Sequence, residues 1–275
     1  MINIFGSIGY TLLQNTHNIL IFADKHDDIP DCKNKINMAE WFKTKFNSSI
    51  ILLEEVPRKD TKLKPLWELS IHTKELKDIY LNNPSIIKPV DIRNLLIPFS
   101  WETVQNTPDY NISISVYLKD IDKFLCMKNE YLINNMPLYN VDKLIFTNLG
   151  KHFLDIKDEF NQILKNLIKL NIHKQNIIYF VNNHIDILIN ISDLLSKIME
   201  WYVCSFIHLY NNKPLIIHVG LAHSEEIINN LVDIYSYKII ETQGINKLNE
   251  IDNVNLTGCV QISENINNQF GGYFY

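Results

Sequence analysis

Runs of strand length that are apolar on both faces stand near both ends of this chain, and the middle of the chain carries mostly helical spacing. Asn18–Ala23, Ser49–Val56 and Pro214–Gly220 are such runs, and each is followed at once by polar residues or ends in them. A strand that is apolar on both faces belongs inside a largely parallel sheet covered by helices. The pattern predicts an α/β fold: a central mixed, largely parallel sheet built from both ends of the chain, with an all-helical middle insertion. A single domain over 1–275 is expected, with its α/β core in 1–95 and 213–275 and the insertion at about 112–211.

The remaining elements follow from spacing and breakers. Asn3–Leu13 reads as a strand interrupted at Gly6-Ser7, and Gln14–His17 as a turn. Asp31 is a plausible N-cap for a helix carrying Ile36, Ala39, Phe42 and Phe46. Leu63–Leu81 reads as a helix, Ile86–Ile92 as a strand, and Asn94–Asn111 as a loop. Three helices are expected at about 113–134, 141–171 and 174–211. A helix over Ser224–Tyr235 and strands over Tyr237–Thr242 and Asn255–Ile262 complete the chain.

Composition excludes several classes. With 46% hydrophobic residues the chain is not wholly disordered, and a net charge of −5 provides no basic field for nucleic acid or anionic lipid. The lysines in Lys59–Lys77 interleave with acidic residues and read as a solvated face, so no nucleic-acid partner is expected. Met1–Tyr10 lacks a basic segment followed by an apolar run, so no secretory signal is expected. Charged residues interrupt Ile177–Leu209, so no membrane span is expected either. Asp186, Asn190, Asp193, Lys197 and Glu200 instead mark the solvated stripe of a long helix. Cys32, Cys126, Cys204 and Cys259 form no C-x-x-C pair; this predicts neither a disulfide framework nor a zinc finger, and fits a reducing, cytoplasmic compartment. The abundance of Asn and Ile and the near absence of Ala and Arg look like the bias of an AT-rich genome, such as that of a giant virus or certain protists. Only Arg58 and Arg93 represent arginine.

Open α/β sheets bind ligands beyond the C-terminal ends of their strands. In this chain, four such ends carry chemistry: Asp24-Lys25-His26-Asp27-Asp28, Glu54-Glu55, Asp91-Ile92-Arg93, and His218 through His223. Each has a bland reading as well. Asp27 and Asp28 suit a turn and a helix cap, and Glu225 and Glu226 suit a helix first turn. His218 suits a core histidine. Neighbouring strand residues face opposite ways, so one of Glu54 and Glu55 faces the cleft; Glu54 is preferred and Glu55 is nearly equal. His17, His72, His152, His173, His184 and His208 have no such placement and read as structural or surface. His26, His223 and Glu54 could hold a divalent metal (Mn, Co or Zn) with a position open for water. A second carboxylate would act as base, with Arg93 as oxyanion stabiliser. The same groups could work without metal, with His26 as base and Glu54 orienting the water. No G-x-S-x-G, P-loop or G-x-G-x-x-G is present, which leaves serine-hydrolase, NTPase and dinucleotide readings without support.

The order of these motifs resembles the superfamily of TIKI metalloproteases, TraB/PrgY pheromone-shutdown proteins, erythromycin esterases and ChaN haem-binding lipoproteins. The likeness rests on Ala23-Asp24-Lys25-His26-Asp27-Asp28, Ile50-Ile51-Leu52-Leu53-Glu54-Glu55, Asp91-x-Arg93 and Gly220-Leu221-Ala222-His223. The sequence departs from the family's pattern in having Ala23 where the first Gly usually stands and Asp24 where a Glu often does. The resemblance implies a core site of His26, Glu54 and His223, with Asp91 and Arg93 as weaker transfers. It implies a hydrolase acting on a peptide or ester bond. Two other readings compete with it. One is a non-catalytic binder of haem or another small ligand, with which the aromatic tail Phe270–Tyr275 is compatible. The other is a degenerate viral paralogue acting by protein–protein contact through its long helices. The helical insertion itself is either a lid over the cleft or a dimer surface.

Overall fold

The structure is a computed structural model and describes residues 1–25, 29–57, 71–128, 147–253 and 256–271. His26, Asp27 and Asp28 lie outside the described residues, as do most of the Lys59–Lys77 run and the end of the aromatic tail. Two compact units divide the chain. The first comprises Met1–Pro57, Trp67–Asp91 and Ile207–Tyr275, and the second Arg58–Leu66 and Ile92–Phe206.

In the first unit the main sheet has six strands, drawn from both ends of the chain. They are β2 (Gly9–Gln14), β3 (Asn18–Asp24), β5 (Ile50–Leu53), β6 (Ile87–Pro89), β7 (Leu215–Gly220) and β8 (Lys238–Gly244), in the order β6-β5-β7-β3-β2-β8. β6, β5, β7 and β3 run parallel, whereas β2 pairs antiparallel with both β3 and β8. The runs that are apolar on both faces fill the middle of this sheet, where β7 is buried at every residue. A smaller sheet, β4-β1-β9, joins β1 (Ile2–Phe5), β4 (Lys35–Asn37) and β9 (Cys259–Ile262). Gly6-Ser7 is thus more than an interruption: the chain changes sheets there, with Gly6 at a φ of 112°.

Three expectations in this unit need correction. Asp31 does not cap a helix; its carboxylate accepts from the Cys32 amide and pairs with Lys35. Residues 35–37 become a strand because β1 offers them a parallel edge, and the helix α1 is only Met38–Lys43. Cys32 and Cys259 form a disulfide, their Cα atoms 6.3 Å apart. Positions 227 residues apart in sequence meet because β1 pairs with both β4 and β9, a proximity that no Cys spacing reports. The core is aromatic: Phe22 packs edge-on against Trp41 at 5.5 Å, beside Phe42 and Tyr10. The helix α2 (Ile71–Asn82) packs beside α1. The Leu63–Ser70 part of that expected helix lies outside the described residues.

The second unit is helical. Where a loop is expected, it forms α3 (Arg93–Leu96), α4 (Thr103–Asn106) and a 3-10 turn at Pro108–Tyr110. These turns are too short for periodicity to reveal. The helix expected from 113 is broken into α5 (Ile114–Tyr117), capped by Ser113, and α6 (Lys119–Leu125). The second long helix is α7 (Asn148–Lys169), capped by Thr147, whose hydroxyl accepts from Gly150 N. The third breaks at His184 into α8 (Ile177–Asn183) and α9 (Ile185–Leu209). Asp186, Asn190, Asp193 and Lys197 are exposed as expected, but Glu200 is buried at 4% exposure. The next helical turn there, at Trp201 and Cys204, is enclosed by the core. Among the described residues no helix is long and apolar enough to cross a membrane.

The chain then returns to the first unit with β7, α10 (Leu221–Asp233), β8, β9 and α11 (Glu264–Gln269). α11 has no counterpart in the sequence reading; Ser263 caps it, and it closes with Phe270 fully buried.

Candidate active site at the strand ends

In the sheet order, β5, β7 and β3 are neighbours, so their C-terminal ends lie side by side. The register pairs Asp24 with Gly220 and Leu53 with His218. One step beyond the β5 ladder, Glu54 N donates to His218 O at 3.0 Å. That step turns the Glu54 side chain toward the start of α10, where Oε2 accepts from Gly220 N at 2.6 Å. A carboxylate is favoured at a helix N-terminus, because the aligned peptide dipoles leave partial positive charge there. α10 begins at Leu221, three residues earlier than the periodicity indicates, and this places His223 in its first turn. His223 Nε2 lies 3.7 Å from Glu54 Oε1, with side chains 12% and 3% exposed.

The earlier start corrects a second expectation. Glu225 and Glu226 fall beyond the first turn, and Glu225 accepts from Leu248 N at 2.9 Å. Glu55 diverges from Glu54: its amide closes a tight turn onto Leu53 O and its carbonyl accepts from Asp91 N. Asp91 and Asp24 are both 2% exposed. His218 is enclosed, with Nε2 2.8 Å from Gly6 O and its ring edge-on to Phe42. Arg93 begins α3 in the second unit and is 8% exposed.

The structure therefore brings together Glu54, His223 and the Gly220 amide. His26 lies outside the described residues. The helix start at Gly220 is the component the sequence reading missed, and the glycine directly after an apolar strand was its signal. A second pair, Tyr10 OH donating to Glu241 Oε1 at 2.5 Å, had no signal, because its members lie on β2 and β8, 231 residues apart. Burial and the adjacent carboxylate hold that phenol well above its ordinary range.

Chemically, a histidine beside a carboxylate is the arrangement of a general base whose ring is oriented by its neighbour. Ser224, the next residue, donates its hydroxyl to Leu221 O and is fully buried, so it is not the hydroxyl such a base would activate. His223 Nε2 and Glu54 Oε1 also suit two positions around a divalent cation. Among the described residues no group of three His, Cys, Asp or Glu side chains could hold a metal ion. Compared with known proteins, the chain matches no family model, no curated protein and no solved structure.

Proposed function

We propose that this chain is a hydrolase that activates water at the Glu54–His223 pair to cleave a peptide or ester bond. The observation that carries the reading is the pair itself. Two side chains from distant segments, nearly closed off from solvent, meet at the ends of adjacent parallel strands beside a helix N-terminus. With Nε2–H turned to Glu54, Nδ1 is the nitrogen that takes a proton from water. Glu54 then stabilises the imidazolium, and the Gly220 amide fixes that carboxylate so that it does not follow the proton. The 3.7 Å separation is loose for a hydrogen bond, as catalytic contacts often are before substrate tightens them. A divalent metal would be held by His223 and Glu54, with His26 as the third donor; when bound it lowers the pKa of water. As to where the protein works, the Cys32–Cys259 bond supports an oxidising environment over the reducing one its cysteine pattern suggested.

The test is hydrolysis of a panel of p-nitrophenyl esters and fluorogenic peptides by the purified full chain. His223→Ala and Glu54→Gln are each expected to lower kcat/KM by roughly 100-fold or more. His208→Ala, at an exposed position on α9, leaves it unchanged. Elemental analysis reports whether Mn, Co or Zn accompanies the chain and leaves with His26 and His223. Turnover that survives both site substitutions, or a panel that is never cleaved, overturns the reading.

A further inference from the structure

The Cys32–Cys259 bond lies where two lines of contact meet, and each line ends on one member of the Glu54–His223 pair. The first line is apolar. Ile29, three residues before Cys32, joins Ala23 and Leu221 in a small buried cluster. Phe5, the ladder partner of Cys259, packs against the same cluster. Leu221 opens α10, between the Gly220 amide that holds Glu54 and the His223 ring. The second line runs through hydrogen bonds. Gly258, next to Cys259, accepts from Gly6 N at 2.9 Å. Gly6 O lies 2.8 Å from His218 Nε2, and His218 O accepts from Glu54 N at 3.0 Å.

The bond itself is within reach of solvent. Both cysteines are half-buried, and Cys32 stands between exposed Asp31 and Lys33. Residues 29–32 have no regular structure. Pro30 O accepts from Gly258 N at 2.8 Å, and Lys33 O accepts from the Asn3 side chain at 3.3 Å. A segment held by so few backbone hydrogen bonds belongs to the low end of local stability, where a cross-link has most effect.

We propose that Cys32–Cys259 is a redox modification site: a dithiol opens it, and opening it misaligns Glu54 and His223. One thiolate of the reductant attacks a sulfur of the bond and forms a mixed disulfide, which the second thiol then displaces. Cys32 and Cys259 leave as two thiols, having taken up two electrons and two protons, and the reductant becomes a disulfide. Freed from β9, Ile29 loosens from the cluster that seats Leu221, and the Gly258 end loosens from Gly6. The pair has little slack to absorb this, since its 3.7 Å separation is already at the edge of contact. A shift of about an ångström at a catalytic group costs up to roughly 100-fold in rate. The oxidised chain is thus the working form. The effect on turnover rests on the hydrolytic reading above, whereas the coupling of the bond to the strand ends does not.

The test uses the full chain carrying Cys126→Ser, which removes the exposed free thiol. Dithiothreitol is added well below the melting temperature, circular dichroism confirms that the chain stays folded, and alkylation with mass spectrometry locates the new thiols at 32 and 259. Amide hydrogen exchange is then compared between the two states. The amides of Gly6, Glu54, Gly220 and Gly258 should exchange about tenfold faster or more in the reduced chain, while the β5–β6 ladder stays as protected as before. Cleavage of the ester and peptide panel should fall roughly tenfold and return on reoxidation with oxidised glutathione. Ile29→Ala, with the bond intact, should reproduce both changes in part. Faster exchange at those amides with no substrate cleaved in either state upholds the coupling and sinks the hydrolase. Four results each overturn the proposal: a bond that resists dithiothreitol until the chain unfolds, exchange that rises evenly across the first unit, exchange in Ile29→Ala like that of its parent, or cleavage equal in both states.

Discussion

Lys45 takes its ammonium into a fully buried position. Nζ donates to Asn267 Oδ1 at 2.6 Å and to Asn267 O at 3.1 Å, and lies 4.8 Å from the centre of the Trp41 ring. Burial, with no carboxylate partner among the described residues, pushes its pKa down from 10.5 to about 8. Between those values the unfolded chain holds a proton that the folded chain has shed, so this group's contribution to stability rises with pH across that window and is flat below it. The shift corresponds to roughly 3 kcal/mol. Cys204 and Tyr117, whose pKa values burial raises, act in the opposite direction at alkaline pH, so the comparison must be differential. Urea unfolding of wild type and Lys45→Met from pH 7 to 10.5 should show the wild type gaining on the variant by about that amount. A constant difference across the range would refute the assignment. The sequence gives no hint of this residue, since a lysine between Phe42 and Phe46 of the expected helix reads as surface. The same limit applied to Glu54 and His223: their proximity to strand ends was legible, but the 3.7 Å meeting depends on where α10 begins.

At the scale of elements, the antiparallel pair β2–β8 leaves almost no clearance at its glycine end. Gly9 pairs with Gly244, and a Cβ on Gly9 would stand 2.0 Å from Ile245 O, a backbone atom with no freedom to yield. Gly244 itself sits at a φ of +72°, where other residues are strained. Gly9→Ala should therefore cost about 3 kcal/mol, read as a lower urea midpoint with an unchanged slope; a loss of a few tenths would mean that the strands part easily. Long elements were legible and short ones were not. α7 and the parallel strands announce themselves through repeated apolar spacing. β4, α3, α4 and α5 have three or four residues each, and partners or caps rather than periodicity decide them. β4 exists because β1 lies beside it, a fact of tertiary structure.

For the whole molecule, both ends of the chain share one α/β unit, and this was readable from apolar runs separated by a helical middle. The Cys32–Cys259 bond was not, because sequence spacing carries no account of which distant strands become neighbours. Closing so long a loop restricts the unfolded chain strongly, and loss of such a bond typically costs about 2–5 kcal/mol. Thiol reduction or Cys32→Ser should lower the melting temperature by several degrees, and Cys126→Ser, at an exposed free thiol, should not. An unchanged melting temperature would show the bond to be thermodynamically idle. The bond also makes a covalent ring of everything from position 32 to position 259. A single proteolytic nick anywhere inside that ring opens it without releasing a fragment. On a denaturing gel run without reductant the nicked chain would keep its full mass, and adding a thiol would split it in two.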